Sequence, residues 1–305
     1  MIIYDCTFYY KKTKVRLNME LPRTDFLREM NVAVTAAVNA GEKIMQVYRS
    51  QFSHTLKKDA EPVTEADILS NEIILHALTP LGYPILSEES ADDLNRLQAE
   101  RVWIVDPLDG TSDFVNRTGE FSVMIALVDK GVPVLGVVFC PSADTLYIAQ
   151  IQLGAYKRQS GRWQAMSVSA TREMANVRAV VSRHHLSDKE KEFLKMLQTS
   201  SFLQKGSSGL KIAEIADGRA ELYFTMSDKI RQWDTCAACC IIREAGGTIT
   251  DMRGEDILYN TAVINHANGI LVTNGCIQES VLKKYTVFKN LALNSAPSQH
   301  RPNSF

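Results

Sequence analysis

The sequence lacks an excess of charge of either sign. Its 34 Lys and Arg residues nearly balance its 35 Asp and Glu residues, which leaves a formal net charge of -1 at pH 7. Proteins that bind nucleic acid polymers or membrane surfaces usually carry a marked basic excess that neutralises phosphates. The composition therefore argues against both kinds of partner, and it predicts that any phosphate recognition is local.

The sequence also lacks long apolar runs. None of its stretches approaches the about 20 apolar residues that a membrane-spanning helix needs. At the start, MIIYDCTFYYKKTK, the charges follow the apolar residues, which is the reverse of a secretory signal. The 6 cysteines are unevenly scattered, which is typical of reduced thiols rather than of a disulfide framework. These absences predict a soluble, cytoplasmic protein.

The first half of the sequence predicts helices packed on a sheet. From Thr24, apolar residues recur at helical spacing between Leu27 and Tyr48, which predicts one long helix. The stretch VTEADILSNEIILHAL predicts a second helix, in which Thr64 and Asp67 form a capping box. Short β runs then follow one another without intervening helices, and this order is typical of an antiparallel sheet.

The second half alternates strands with helices, which favours an α/β lobe with a parallel or mixed sheet. We therefore divide the chain into an N-terminal extension (1–23), a first α+β lobe (24–170), a second α/β lobe (171–290) and a polar tail (291–305). The first lobe carries most of the acidic residues discussed below. The polar tail is predicted to be disordered.

Acidic residues stand where regular elements are predicted to end. In WIVDPLDGTSDF, residues 103–114, an apolar run leads directly into Asp106 and Asp109 without a nearby Lys or Arg. Buried carboxylates are costly unless a cation or hydrogen-bond donors compensate them, and magnesium prefers oxygen ligands. Pro107 frees the Leu108 carbonyl from regular pairing, so this oxygen is a further candidate ligand. The stretch predicts a metal site at a strand end.

Three further segments extend this candidate site. One of the two glutamates in PILSEES, Glu88 or Glu89, is expected beside Asp106, and Asp234 is expected to open a helix. The amides of Gly110 and Thr111 would face an anion if a helix begins there. Each segment taken alone is better explained as a turn, a helix cap or a solvated loop. Their conjunction favours a metal-dependent phosphatase.

Four stretches carry a family resemblance. EPVTEAD (61–67), LSEES (86–90), WIVDPLDGTSDF and WDTCAACCIIREAGG (233–247) resemble, in order and spacing, the motifs of the inositol monophosphatase superfamily of lithium-sensitive magnesium phosphatases. The resemblance covers roughly residues 25–290. It implies an α/β fold, a layered αβαβα sandwich with an N-terminal antiparallel sheet flanked by helices and a C-terminal mixed α/β lobe.

The resemblance also implies roles for individual residues. The first magnesium would be held by Glu88, Asp106 and the Leu108 carbonyl, and the second by Asp106, Asp109 and Asp234. Thr111, paired with Asp67, would activate the attacking water, and the amides of Gly110 and Thr111 would hold the phosphate. Two or three magnesium ions are expected, without a covalent enzyme intermediate.

Within this superfamily the sequence is most similar to the 3′(2′),5′-bisphosphate nucleotidases, which remove the 3′-phosphate of adenosine 3′,5′-bisphosphate. The similarity lies in an acidic residue before Phe114 and in the segments SRHH (182–185) and GSSGLK (206–211). The implied substrate-binding residues are Ser182, Arg183, His184, Gly206, Ser207, Ser208 and Lys211. Many members carry an arginine where this sequence has Thr225, so we expect Lys229 or Arg231 to supply that charge.

The sequence is also compatible with other substrates and with a function other than catalysis. Inositol monophosphate, fructose 1,6-bisphosphate or an inositol polyphosphate could be the substrate of the same catalyst. A non-catalytic phosphate sensor could have kept the fold, although it would not need both Thr111 and Asp67. The sequence is compatible with either a monomer or a homodimer.

Overall fold

A computed structural model describes residues 20–56, 62–92 and 94–295, with side chains to residue 291. Its first elements are α1 (Arg28–Tyr48), a short antiparallel pair of β1 (His54–Leu56) and β2 (Pro62–Thr64), and α2 (Glu65–Leu78). Helix α1 begins at Arg28 rather than at Thr24, because Leu27 still has an extended backbone with ψ 149. The predicted capping box of Thr64 and Asp67 at the start of α2 is confirmed.

The first large sheet has seven strands in sequential order. They are β3 (Ile85–Ser87), β4 (Arg101–Asp109), β5 (Ser122–Asp129), β6 (Val132–Cys140), β7 (Thr145–Gln150), β8 (Gly154–Gln159) and β9 (Arg162–Ala165), with the short helix α3 (Thr111–Val115) after β4. The ladder is antiparallel from β4 to β9, as expected, but β3 pairs with β4 in parallel. This parallel pairing brings the C-terminal ends of β3 and β4 to one edge.

The second sheet is mixed, as predicted. Its elements are β10 (Arg178–Ser182), α4 (Asp188–Leu197), β11 (Ser201–Lys205), α5 (Ser208–Ala216), β12 (Leu222–Thr225), α6 (Cys236–Glu244), β13 (Thr248–Thr250), β14 (Ile270–Thr273) and α7 (Gln278–Ser295). The strand order is β11-β10-β12-β14-β13. Strand β10 pairs in parallel with β11 and β12, whereas β14 is antiparallel to its two neighbours.

Three separate apolar cores alternate with the sheets and produce five layers. Neighbouring residues of one strand belong to different cores: Ile125 packs with α1 and α2, whereas Met124 packs with α5 and α6. In the second sheet, Val180 faces α5 and α6, whereas Val181 faces α4 and α7. Because successive side chains of a strand point to opposite faces, both sheets are covered on both sides. This arrangement is the αβαβα sandwich that the sequence predicted.

Two boundaries in the structure bear on the predicted division of the chain. Helix α7 extends to Ser295, so residues 291–295 are helical rather than part of a disordered tail, and residues 296–305 lie outside the described part. The first proline of the tail is Pro297, and the preceding stretch NLALN contains good helix formers. We retain the lobe boundary near residue 170 as a proposal, since β9 ends at Ala165 and β10 begins at Arg178.

None of the helices in the described part of the chain combines the length and the apolar character that crossing a membrane would take.

Candidate active site

A cavity of about 320 Å³ opens where the C-terminal end of β4 meets the N-terminal end of α5. One side of it is acidic and comes mainly from the first sheet, and the other side comes from the loops of the second sheet. We call these the metal end and the nucleoside end, after the roles that the family resemblance implies for their residues. The metal end consists of Glu88, Asp106, Leu108, Asp109, Thr111 and Asp234.

The metal end depends on an irregularity in β4. The register between β4 and β5 shifts between Asp106 and Asp109, so the strand does not continue its simple alternation there. The Leu108 amide donates to Asp106 Oδ1 at 3.0 Å, and the Ser70 hydroxyl donates to the Pro107 carbonyl at 2.7 Å. These bonds fix the kinked segment, and both carboxylates line the same cavity.

Asp234 completes a cluster of three carboxylates. One oxygen each from Asp106, Asp109 and Asp234 lies within 4.8 Å of the others. Asp234 was expected to open a helix, but α6 begins two residues later, at Cys236. Instead, Asp234 Oδ2 accepts a hydrogen bond from the Arg231 amide at 2.6 Å, which fixes the loop before α6.

The electrostatics of this cluster call for a cation. Burial raises the pKa of Asp106 well above its usual value, and the negative charges of Glu88, Asp109 and Asp234 raise it further. Within the described part of the chain, no Lys or Arg forms an ion pair with Asp106 or Asp109. A hard divalent cation bound by carboxylate oxygens would balance this charge, so the donor set fits magnesium.

The two glutamates after β3 have different surroundings. Glu88 lines the cavity, and its amide donates to the Val105 carbonyl next to the end of β4. The charge of Glu89, in contrast, contributes to raising the pKa of Asp67. The parallel pairing of β3 with β4 therefore places Glu88 beside the aspartates, where the proposed ligand role requires it.

Asp67 serves two partners with its two carboxylate oxygens. Oδ2 accepts from both the amide and the hydroxyl of Thr64 at 2.7 Å, which is the capping box of α2. Oδ1 lies 3.0 Å from the Thr111 hydroxyl, which is also 3.1 Å from the Leu108 carbonyl. Burial raises the pKa of Asp67, and this shift makes its carboxylate a stronger base.

The turn after β4 leads directly into α3. Gly110 has φ +93, and a Cβ there would lie 3.0 Å from the Glu120 carbonyl oxygen and 3.2 Å from the Ser207 amide nitrogen. A larger residue would thus be strained and crowded at once. The glycine lets the chain turn so that Gly110 and Thr111 both line the cavity.

The start of α5 supports the metal end as well. The Ser207 hydroxyl and the Gly209 amide both donate to Asp109 Oδ2, the latter at 2.9 Å. Ser207 lines the cavity, so its expected contact with substrate stays a prediction, and its hydroxyl also accepts from the Leu210 amide and so caps α5. Gly209 was not among the predicted residues, and only its position in GSSGLK could have suggested it.

The nucleoside end contains part of the predicted set. Ser182, His184, Gly206, Ser208 and Lys211 line the cavity. Lys211 is only 4% exposed, and its ammonium lies 5.2 Å from the centre of the Tyr223 ring. Burial lowers the pKa of this lysine.

Two predicted arginines lie elsewhere. Arg183 forms an ion pair with Glu120 at 2.6 Å, and the Arg231 guanidinium lies over Trp233 at 5.5 Å from the ring centre. Neither belongs to the cavity lining of the described residues. Sequence reasoning missed several residues that do line it, namely His185, Tyr223, Thr225 and Ser227, whereas Lys229 lines it as one of two suggested alternatives.

The fold and this acidic cavity agree with the comparison to known proteins. The sequence matches the inositol monophosphatase family over residues 27–286. The chain therefore belongs to the inositol monophosphatase family.

Individual members of this family show how similar the chain is to known proteins. The 3′(2′),5′-bisphosphate nucleotidase CysQ of Salmonella typhimurium is 39% identical over 228 residues, which are 73% of this chain and 90% of the relative. The solved structure of CysQ from Bacteroides thetaiotaomicron is 31% identical, with a TM-score of 0.72 over 83% of this chain and 99% of its own. The IMPase of Thermotoga maritima, 23% identical over 87% of this chain and 99% of its own, shares the fold with a TM-score of 0.75.

Proposed function

We propose that this protein is a magnesium-dependent 3′(2′),5′-bisphosphate nucleotidase. It would hydrolyse the 3′-phosphate of adenosine 3′,5′-bisphosphate to AMP and inorganic phosphate. The observation that carries the phosphatase assignment is the cluster of Asp106, Asp109 and Asp234 within 4.8 Å at one end of the cavity. The choice of a bisphosphate nucleotide is supported by the names of the CysQ relatives and by Lys211 and Lys229 on the cavity wall.

The metal ligands in this proposal are Glu88, Asp106, the Leu108 carbonyl, Asp109 and Asp234, which would hold two or three magnesium ions. When bound, magnesium lowers the pKa of water and stabilises negative charge on phosphoryl oxygens. The fold places buried carboxylates close together, and their negative charges repel one another without a cation. Ser207 and Gly209 fix Asp109 by donating to a single oxygen, Oδ2.

Thr111 and Asp67 are the proposed catalytic pair. A water hydrogen-bonded to the Thr111 hydroxyl would be aligned with the phosphorus, and Asp67 Oδ1 would take up the released proton through that hydroxyl. The raised pKa of Asp67 favours this proton transfer. The capping bonds on Oδ2 keep the carboxylate in place meanwhile.

The amides of Gly110 and Thr111 are the proposed phosphate-binding groups. They stand at the start of α3, where backbone amides have no partner within the helix. Donors aimed at phosphoryl oxygens stabilise the charge that spreads over them in the transition state.

At the nucleoside end, Ser182, His184, Gly206, Ser208 and Lys211 are the proposed substrate contacts. We assign the charge that faces the 5′-phosphate to Lys211 and Lys229, because they line the cavity whereas Arg183 and Arg231 do not. Ammonium groups bind phosphate as compact charges with rotatable donors. Arg183 and Arg231 would then act only indirectly.

We place this activity in the cytoplasm. The described cysteines, Cys140, Cys236, Cys239, Cys240 and Cys276, are free thiols, as expected for a reducing compartment. A small phosphate ester is the proposed partner, and no nucleic acid polymer or membrane is needed.

The test is phosphate release, with magnesium, from adenosine 3′,5′-bisphosphate, inositol 1-phosphate and fructose 1,6-bisphosphate. We expect the nucleotide to have the highest kcat/KM and the reaction to stop in a chelator. Equal or faster hydrolysis of a sugar phosphate would keep the phosphatase and reject the nucleotide. No hydrolysis of any of the three would reject the phosphatase and favour a phosphate sensor.

A further inference from the structure

Asp113 is a buried carboxylate that the proposed mechanism does not use. It lies on α3, is 2% exposed, and accepts a hydrogen bond from the Thr118 hydroxyl at 2.7 Å through Oδ1. Two side chains of the loop after β10 approach it: Arg183 Nε lies 3.4 Å from Oδ1, and His184 Nε2 lies 3.3 Å from Oδ2. The carboxylate therefore joins the two sides of the cavity.

The turn between β11 and α5 is shaped around the same carboxylate. A Cβ on Gly206 would lie 2.3 Å from Asp113 Oδ2, which is too close for two atoms that are not bonded to each other. Gly206 also donates its amide to Glu120 Oε2 at 2.8 Å. The backbone of this turn therefore packs directly against Asp113.

Among the described residues, Arg183 pairs with two carboxylates, Asp113 and Glu120, whereas His184 pairs with Asp113 alone. Arg183 donates to Glu120 Oε2 at 2.6 Å, so it keeps a carboxylate partner without Asp113. His184, in contrast, lines the cavity and is 30% exposed along its side chain. Its ring approaches Asp113 through Nε2, and the rest of the ring is available to contact a ligand in the cavity.

An imidazole that contacts Asp113 in this way offers a flat surface at the nucleoside end. The His184 and His185 rings lie 6.3 Å apart at an interplanar angle of 70°, so only one of them can lie parallel to a given base. Stacking of a base on an aromatic side chain stabilises binding substantially and tolerates any base. A ring that is fixed before binding loses less conformational entropy when the base arrives.

We propose that Asp113 is a positioning residue for nucleotide specificity, which orients His184 so that its imidazole stacks on the nucleobase of the substrate. This inference rests on the proposed function, because it needs a nucleoside in the cavity. It assigns Asp113 no part in bond breaking. The two ends of the cavity should consequently respond differently when the charge of Asp113 is removed.

The experiment measures the KM of adenosine 3′,5′-bisphosphate and the inhibition constant of inorganic phosphate in the full-length magnesium enzyme. Asp113→Asn keeps an acceptor for Thr118 but loses the charge. We expect KM to rise about 10-fold, within the range for one stacked base. Inorganic phosphate, which needs only the metal end, should inhibit wild type and variant within about two-fold of each other.

A double-mutant cycle separates positioning from a general structural role. His184→Ala should raise KM as Asp113→Asn does, and the double variant should be no worse than His184→Ala alone. Additive effects of the two changes would overturn the inference. Glu221→Gln is the matched control, since Glu221 is another fully buried carboxylate paired with an arginine, Arg178, but is not part of the cavity lining.

The remaining outcomes of these experiments also test the inference about Asp113. An equal loss of phosphate and nucleotide affinity in Asp113→Asn would mean that the whole site is disturbed, which contradicts the inference. If Asp113→Asn does not fold, an unchanged KM in His184→Ala would contradict it independently. A wild type that releases no phosphate from the nucleotide would reject the proposed function and this inference together, whereas an active wild type with an unaffected Asp113→Asn variant would reject this inference alone.

Discussion

The metal end and the nucleoside end of the cavity differ in how they are built. At the metal end, Asp106 and Asp109 belong to β4, which pairs with β5 at both positions and with β3 just before them. At the nucleoside end, the wall comes from loops after β10, β11 and β12, and predicted arginines lie outside it. A strand end fixes the direction of its side chains, whereas a loop lets one residue face the cavity and the next face away.

The contrast predicts that changes at the metal end lower kcat and that changes at the nucleoside end raise KM. The largest effect is expected for Thr111→Val, which keeps the shape of the side chain and removes the hydroxyl beside Asp67 Oδ1. Loss of a positioned proton-transfer group should reduce kcat on the order of 100-fold with a smaller change in KM. Steady-state kinetics with the nucleotide measures both.

Thr111→Ser is the matched control, because it restores the hydroxyl without the methyl group. Most of the activity should return in this variant. A Thr111→Val variant with kcat within a few-fold of wild type would show that the hydroxyl does not align the water.

The neighbouring residues Ser207 and Ser208 test the difference between the two ends of the cavity. Ser207→Ala removes a donor to Asp109 and should lower kcat about 10-fold, which is typical for a group that orients a metal ligand. It should also cost about 1 kcal/mol of stability, since Ser207 caps α5. Thermal unfolding and kinetics of the same samples separate the two effects.

Ser208→Ala, one residue later, should raise KM only about three-fold, the size of one neutral hydrogen bond, and leave kcat unchanged. The reverse pattern, with kcat reduced by Ser208→Ala and KM raised by Ser207→Ala, would contradict the division of the cavity into two ends.

The smallest effect is expected for Lys229→Ala. Lys229 is exposed on the cavity rim, so its pairing with a phosphate is screened by solvent and should contribute about a two-fold change in KM. The change should shrink as salt is added. Arg231→Ala is the comparison, and its effect on KM should be smaller because its guanidinium lies over Trp233. A larger effect of Arg231→Ala would indicate that Arg231, rather than Lys229, faces the 5′-phosphate.

The sequence predicted most of the fold, and the metal end better than the nucleoside end. Apolar periodicity identified α1, and uninterrupted β runs identified the first sheet, because these patterns report burial directly. Parallel pairing of β3 with β4 was missed, since three residues carry no signal of strand direction. The short strands β1, β2, β9 and β13 were not predicted, because three or four residues are too few to show a clear alternation of apolar and polar positions.

At the site, WIVDPLDGTSDF placed two carboxylates at a strand end, and the structure brings both into the cavity. The sequence did not show that Arg183 would pair with Glu120, because that contact depends on packing between residues 63 positions apart. Nor did it show that Asp234 would precede its helix by two residues. Such details depend on loop conformation, which local patterns do not specify.

The central claim is that the three clustered carboxylates bind the magnesium on which hydrolysis depends, and Asp109→Asn tests it most directly. The variant keeps an oxygen to accept from Ser207 and Gly209 but loses one negative charge. Calorimetric titration with magnesium and phosphate release from adenosine 3′,5′-bisphosphate should be measured on both proteins. We predict that the wild type binds magnesium and hydrolyses the nucleotide, and that the variant loses affinity and on the order of 100-fold in rate. A variant that binds magnesium and releases phosphate like the wild type would contradict the claim.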